Sequence, residues 1–162
     1  MRRLLPLGLV LALALSAPAA AQVRVGDLSF EGAGVRERSI DHPYVVVTNH
    51  SSEPDRLLGA RCECGRKVWL VRRHLKPLGD TYSDFLFDER IPFIVIPGNS
   101  RRAISPYQGE FEDPSTLGYA MELEGSQVLE DGQEIVLVLT FERTGDVRLA
   151  FPVSMAVPPY AS

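Results

Sequence analysis

The side chains in this 162-residue chain best suited to soft-metal chemistry are two cysteines, one histidine and one methionine. Cys62-Glu63-Cys64 is a C-x-C pair. On an extended backbone, residues i and i+2 point to the same face, so two thiolates there would converge. Thiolate is a soft donor, and such a pair suits Cu(I). His74 could add an imidazole. Met121 could add a thioether if its strand runs alongside, and the two sulfurs of the pair should then face the same open space as His74 or Met121. The competing use is a disulfide, the commoner fate of paired cysteines in an exported chain. Cα atoms two apart in a strand sit near the upper limit of disulfide separation, and Gly65 loosens the turn enough for a bond to close. Metal site, disulfide, and free or intermolecular thiols all stay open. His74 adjoins Arg72 and Arg73, as a surface residue would. Met121 shares a strand face with Tyr119 and Leu123, as a core residue would.

Other chemistry lacks a motif. There is no nucleophile elbow, no H-E-x-x-H and no glycine-rich phosphate loop, so the chain reads as a non-enzyme. Redox enzymes use C-x-x-C at a helix start, where the dipole lowers the thiol pKa; here the spacing is C-x-C and no helical period is evident. The pairs Asp88-Glu89 and Glu130-Asp131 fall in turns, and the cluster from Glu110 to Asp113 falls in a long loop. His42 and His50 sit in polar loops. Asn49-His50-Ser51 matches a glycosylation sequon and reads as a strand-end turn.

The elements that must position these residues read as β-strands. Residues 1–21 are set apart as a secretory signal peptide: basic Arg2-Arg3, an apolar run from Leu4 to Leu15, and the small-residue site Ala19-Ala20-Ala21. The run is too short to span a bilayer, and no later stretch is long enough. Of 162 residues, removing 21 leaves 141; with Arg2 and Arg3 gone, 15 basic residues face 21 acidic ones, a net charge of −6. So acidic a chain disfavours nucleic-acid binding. The expected location is the periplasm, and the expected form is a monomer. Residues 22–155 are read as one domain and 156–162 as a frayed tail.

Val23 to Phe30, Tyr44 to Thr48, Arg56 to Ala60, Lys67 to Val71 and Phe93 to Ile96 carry strand patterns. Arg101 to Ile104 is expected as a hairpin partner of Phe93 to Ile96. Gly118 to Leu123 alternates. Glu134 to Glu142 is apolar on both faces, as a central strand should be, with Val147 to Val153 beside it. Residues 31–43, 72–91 and 105–117 read as irregular. Short strands separated by turns predict an all-β sandwich.

In order and spacing these segments resemble the periplasmic copper chaperones, small cupredoxin-like proteins that supply the dinuclear copper centre of cytochrome oxidase. The resemblance rests on Tyr44 to Asn49, Asp55 to Ala60, Val68-Trp69-Leu70, Ile96-Pro97-Gly98, Leu129 to Gly132, Leu137 to Gly145, Val147 and Pro152-Val153. It spans residues 23–153. It implies a cupredoxin-like or immunoglobulin-like β-sandwich, Cu(I) as cargo, and a copper-acceptor protein, such as one in cytochrome oxidase assembly, as partner. It also implies four ligands, which do not carry over. The family's His-x-Met falls on Tyr119-Ala120-Met121. Its first histidine falls on Val71, with His74 three residues later. Its other methionine falls near Phe87 or Asp88. Tyr119 and Met121 are expected near Val71, at one end of the sandwich. With one family ligand in place, three readings follow: a Cu(I) chaperone whose site has moved to Cys62, Cys64, His74 and Met121; a metal-free envelope binding or assembly module with Cys62 and Cys64 disulfide-bonded; and, the weakest, a thiol-disulfide partner using Cys62 and Cys64.

Overall fold

The structure, a computed structural model, describes residues 22–36, 42–77, 84–105, 116–125 and 129–154. The leader, the tail from 155 onward and most of the 105–117 loop lie outside the described residues. Eleven strands make up the described fold: β1 Val23–Val25, β2 Leu28–Arg36, β3 Tyr44–Asn49, β4 Asp55–Cys62, β5 Val68–Pro77, β6 Asp84–Arg90, β7 Ile94–Ile96, β8 Ser100–Ile104, β9 Thr116–Leu123, β10 Glu134–Phe141 and β11 Gly145–Ser154. The all-β sandwich expected from the sequence is the fold observed.

Eight strands form one sheet, ordered β7-β4-β10-β11-β2-β3-β8, with β1 paired to β2. Its two arms meet at a short parallel seam, Val153↔Val35 and Ser154↔Arg36. They fold over a shared core in which Phe30 from one arm stacks tilted on Phe141 from the other, 5.7 Å between ring centres. A second sheet, β6-β5-β9, adds Val68, Leu70, Met121 and Leu123 to the same core. As its apolar run requires, β10 is central, antiparallel to both β4 and β11, with Leu137 and Leu139 fully buried.

Four sequence expectations change. The first strand breaks at Gly26, whose φ of 58° suits a tight turn, and becomes the β1–β2 hairpin. The segment 31–43, expected to be irregular, begins as β2 and stays paired with β3 through a register shift between Glu31 and Gly34. There a Cβ on Gly34 would meet the outer end of the Tyr44 ring, which would have to shift. The strand β8 pairs with β3 and not with β7, so Pro97 to Asn99 carries the chain between the sheet's two edges and makes no hairpin. Most of 72–91 is regular: β5 and β6 form a long ladder from Val71↔Arg90 to Pro77↔Asp84. Its polar composition hides an antiparallel pair linked by cross-strand charges, Arg72 with Glu89 and Arg73 with Asp88.

The far end of β4 is closed by a buried carboxylate. Asp55 is 3% exposed. Its Oδ1 accepts from the backbone N–H of Arg56 (2.8 Å) and of Arg143 (3.0 Å). Its Oδ2 accepts from the Thr144 N–H (3.1 Å) and hydroxyl (2.7 Å). This ties the start of β4 to the β10–β11 turn. Burial pushes the Asp55 pKa up, the bonds from Thr144, Arg143 and Arg56 pull it down, and the net shift is downward.

Candidate metal-binding site

At its other end β4 runs into the cysteine pair. Cys62 closes the strand and Cys64 stands in the turn that follows. The pair is not extended. Its Cα atoms are 5.0 Å apart, against about 6.7 Å for two residues of strand. The turn closes because the Gly65 N–H donates to the Cys62 carbonyl at 3.1 Å while Gly65 adopts φ 80°. The sulfurs are joined in a disulfide. Of the uses the sequence left open, this state is the disulfide. In it neither sulfur is a thiolate, and the two side chains differ: Cys62 belongs to the core cluster, whereas Cys64 is exposed.

The turn is anchored on both sides. The Glu63 N–H donates to the Val136 carbonyl at 2.9 Å. The Glu63 carboxylate takes two 2.8 Å bonds from the Arg148 guanidinium, which holds its pKa below the usual carboxylate range. Arg66 donates to the carbonyls of Leu123 (3.0 Å), Glu124 (2.9 Å) and Gly125 at the end of β9. The sequence reading assigned no role to Glu63, Arg66 or Arg148. Their partners lie up to 85 residues away, so no local signal marks them.

Of the other two candidates, His74 stands away from the pair, whereas Met121 belongs to the same core cluster as Cys62. The bridge Arg61↔Lys67 sets the cysteine turn at the Val68 end of β5. His74 lies six residues further along, about 20 Å at the ~3.3 Å rise of a strand. There its Nε2 meets Glu89 Oε2 at 3.0 Å, and Arg72 shares the same carboxylate. Hydrogen bonds from Arg72 and then His74 hold Glu89 below the usual range. Met121 pairs with Leu70 and is 0% exposed in the core. It is packed in the core, not set at an open surface. Among the described residues, no group of three or more His, Cys, Asp or Glu could hold a metal ion.

β9 does lie beside Val71, but Val71 pairs with Ala120, so those two share one face. Tyr119 pairs with Arg72 and Met121 with Leu70, on the opposite face. The position facing Tyr119 and Met121 is therefore one residue off Val71, at Leu70 or Arg72. None of these supplies an imidazole, and the Tyr119 ring carries the Arg102 guanidinium 5.1 Å from its centre. The donor set at these positions does not fit Cu(I), Met121 excepted. Near the Asp55 end, a cavity of about 310 Å³ is lined by Asp27, Asn49, Asp55, Arg143 and their neighbours and holds none of the candidate ligands. The Asn49 side chain is spent there on the strand-end turn, donating to the carbonyls of Glu53 and Ile96 and accepting from the Ser51 N–H.

The decisive comparison is with solved structures. The copper-bound PCuAC domain from PmoF2 superposes with a TM-score of 0.57 at 20% identity, covering 84% of this chain and 99% of that one. The fold is that of a PCuAC domain. The apo PCuAC domain of PmoF2 gives 0.55 at 21% identity, covering 85% and 98%, and the apo PCuAC domain from PmoF1 gives 0.55 at 17%, covering 84% and 100%. The resemblance read from the sequence thus holds at the level of fold. No family model matches the chain, and no curated protein matches it. No helix among the described residues is long and apolar enough to cross a membrane.

Proposed function

We propose that this chain is a copper-handling module of the cell envelope, exported by its N-terminal leader, that binds Cu(I) through Cys62 and Cys64 in their reduced form and passes it to a copper-acceptor protein such as one in cytochrome oxidase assembly. The observation that carries the reading is a PCuAC fold, found copper-bound in a similar solved domain, with its two softest donors held together where β4 runs into an anchored turn. Reduction of the disulfide gives two thiolates on one short turn. Glu63 and Arg66 fix that turn from either side, so little ordering is left for the metal to impose. Thiolate binding releases protons, so affinity falls as pH drops below the thiol pKa. His74 is not needed, because it stands away from the turn and is engaged with Glu89, and Met121 is committed to core packing.

The test is a Cu(I) competition titration of the mature chain, reduced and oxidised, beside a Cys62→Ser/Cys64→Ser variant. One Cu(I) per reduced wild-type chain, and none for the oxidised chain or the variant, supports the reading. Equal copper uptake by wild type and variant overturns it. A second reading, a metal-free binding or assembly module, is favoured by the closed disulfide and the missing family ligands. It forecasts no copper uptake even after reduction.

A further inference from the structure

The two sulfurs of the disulfide are unequal partners for a third. Exchange proceeds by attack of a thiolate on one sulfur while the other leaves, and access decides which is attacked. The attacker comes in along the S–S axis, from the side away from the leaving sulfur. Cys64 is exposed in the turn, where an external thiol can reach it. Cys62 is 8% exposed and packed in the core cluster with Leu137, its cross-strand partner. Burial in this cluster limits access to Cys62 Sγ. The leaving-group side agrees. The Cys64 N–H donates to Cys62 Sγ at 3.2 Å, a bond that strengthens when this sulfur carries the charge of a departing thiolate. The anchors at Glu63 and Arg66 hold the backbone in place while the bond opens.

We propose that Cys64 is the sulfur that takes an external thiol, with Cys62 as the leaving thiolate, so that a dithiol protein opens the pair through a mixed disulfide on Cys64. In the first step the partner's thiolate bonds to Cys64 Sγ, the Cys62–Cys64 bond breaks, and its electron pair leaves on Cys62. In the second step the partner's other thiolate attacks the partner sulfur of the mixed disulfide. The partner becomes a disulfide and Cys64 is released as a thiolate. Two electrons pass from the dithiol to the pair, and the two protons the dithiol gives up are available to the new thiolates. As the step that prepares a copper site, this rests on the reading above; the exchange chemistry does not.

The experiment uses the oxidised, copper-free mature chain with reduced glutathione as the thiol. Excess glutathione is added, and the mixture is quenched with N-ethylmaleimide. The tryptic peptide spanning residues 62–66 is then sequenced by mass spectrometry. Glutathione on Cys64 with maleimide on Cys62 is expected, in excess over the reverse arrangement by on the order of tenfold. Equal labelling, a majority on Cys62, or no mixed disulfide at all overturns the proposal. A second readout uses single variants whose fold is checked by circular dichroism. Cys64 in Cys62→Ser should react with maleimide roughly tenfold faster than Cys62 in Cys64→Ser; equal rates contradict the proposed order of attack. Both readouts are taken without copper, so their failure is separate from failure of copper binding.

Discussion

Replacing Asp55 should destabilise the fold more than any other single polar change among the residues described above. The carboxylate accepts four hydrogen bonds, from the N–H groups of Arg56, Arg143 and Thr144 and from the Thr144 hydroxyl. Bonds to a charged acceptor contribute about 1.5–3 kcal/mol each, and donors left buried without a partner cost about 1–3 kcal/mol. In Asp55→Ala, water can enter from the adjoining cavity and satisfy part of the set. The expected net loss is therefore about 3–5 kcal/mol. At roughly 3 °C per kcal/mol for a domain of this size, Tm falls by about 10–15 °C. Asp55→Asn keeps the shape but sets an NH₂ group against donors, and should cost about 1–3 kcal/mol. The pH dependence has a fixed sign. The folded-state pKa is lowered, so the ionic contribution is complete above the unfolded value of about 3.9 and is lost as pH falls through the lower folded value. The stability gap between wild type and Asp55→Asn should therefore be constant near neutrality and close below about pH 4. Urea unfolding from pH 7 to pH 3, followed by circular dichroism, measures both. A loss under about 1 kcal/mol for Asp55→Ala at pH 7, or a gap that widens in acid, would refute the argument.

Other outcomes follow from packing and from the site. A Cβ on Gly98 would stand 2.1 Å from the Ser52 carbonyl oxygen, whereas one on Gly59 meets nothing within 4 Å; thermal melts should show Gly98→Ala clearly destabilised and Gly59→Ala within about 1 kcal/mol of wild type. Met121→Ala empties a fully buried site and should cost about 2–5 kcal/mol, yet leave Cu(I) affinity of the reduced protein unchanged, as competition titration would report. His74→Ala should weaken Cu(I) binding less than either single cysteine change, since the imidazole is engaged with Glu89.

The sequence discloses the fold where burial writes a pattern. Ile135, Leu137 and Leu139 enter the core from one face of β10 and Val138 is buried on the other, and this apolar run was legible as the central strand. The β5–β6 hairpin was not, because Arg72, Arg73, Asp88 and Glu89 pair with one another across the ladder, and their charges look like loop composition when read one strand at a time. The pairing of β8 with β3 was hidden because chain neighbours usually pair, and here Pro97 to Asn99 crosses between edges. At the candidate site, the identity of the donors was legible and their arrangement was not. A one-residue shift of register moves a side chain to the other face, so residue order alone did not show that Val71 shares a face with Ala120 and that Leu70 and Arg72 share one with Met121 and Tyr119. Whether Cys62 and Cys64 are thiolates or a disulfide depends on the redox surroundings, which residue order does not encode.

Copper ligation by the cysteine pair is tested most directly by copper K-edge X-ray absorption on the reduced mature chain loaded with one equivalent of Cu(I). The expected spectrum has a first shell dominated by two thiolate sulfurs, and the signal is lost in Cys62→Ser/Cys64→Ser. A shell of nitrogen and thioether donors that survives the double substitution would contradict it and return the copper, if bound, to some other part of the PCuAC fold.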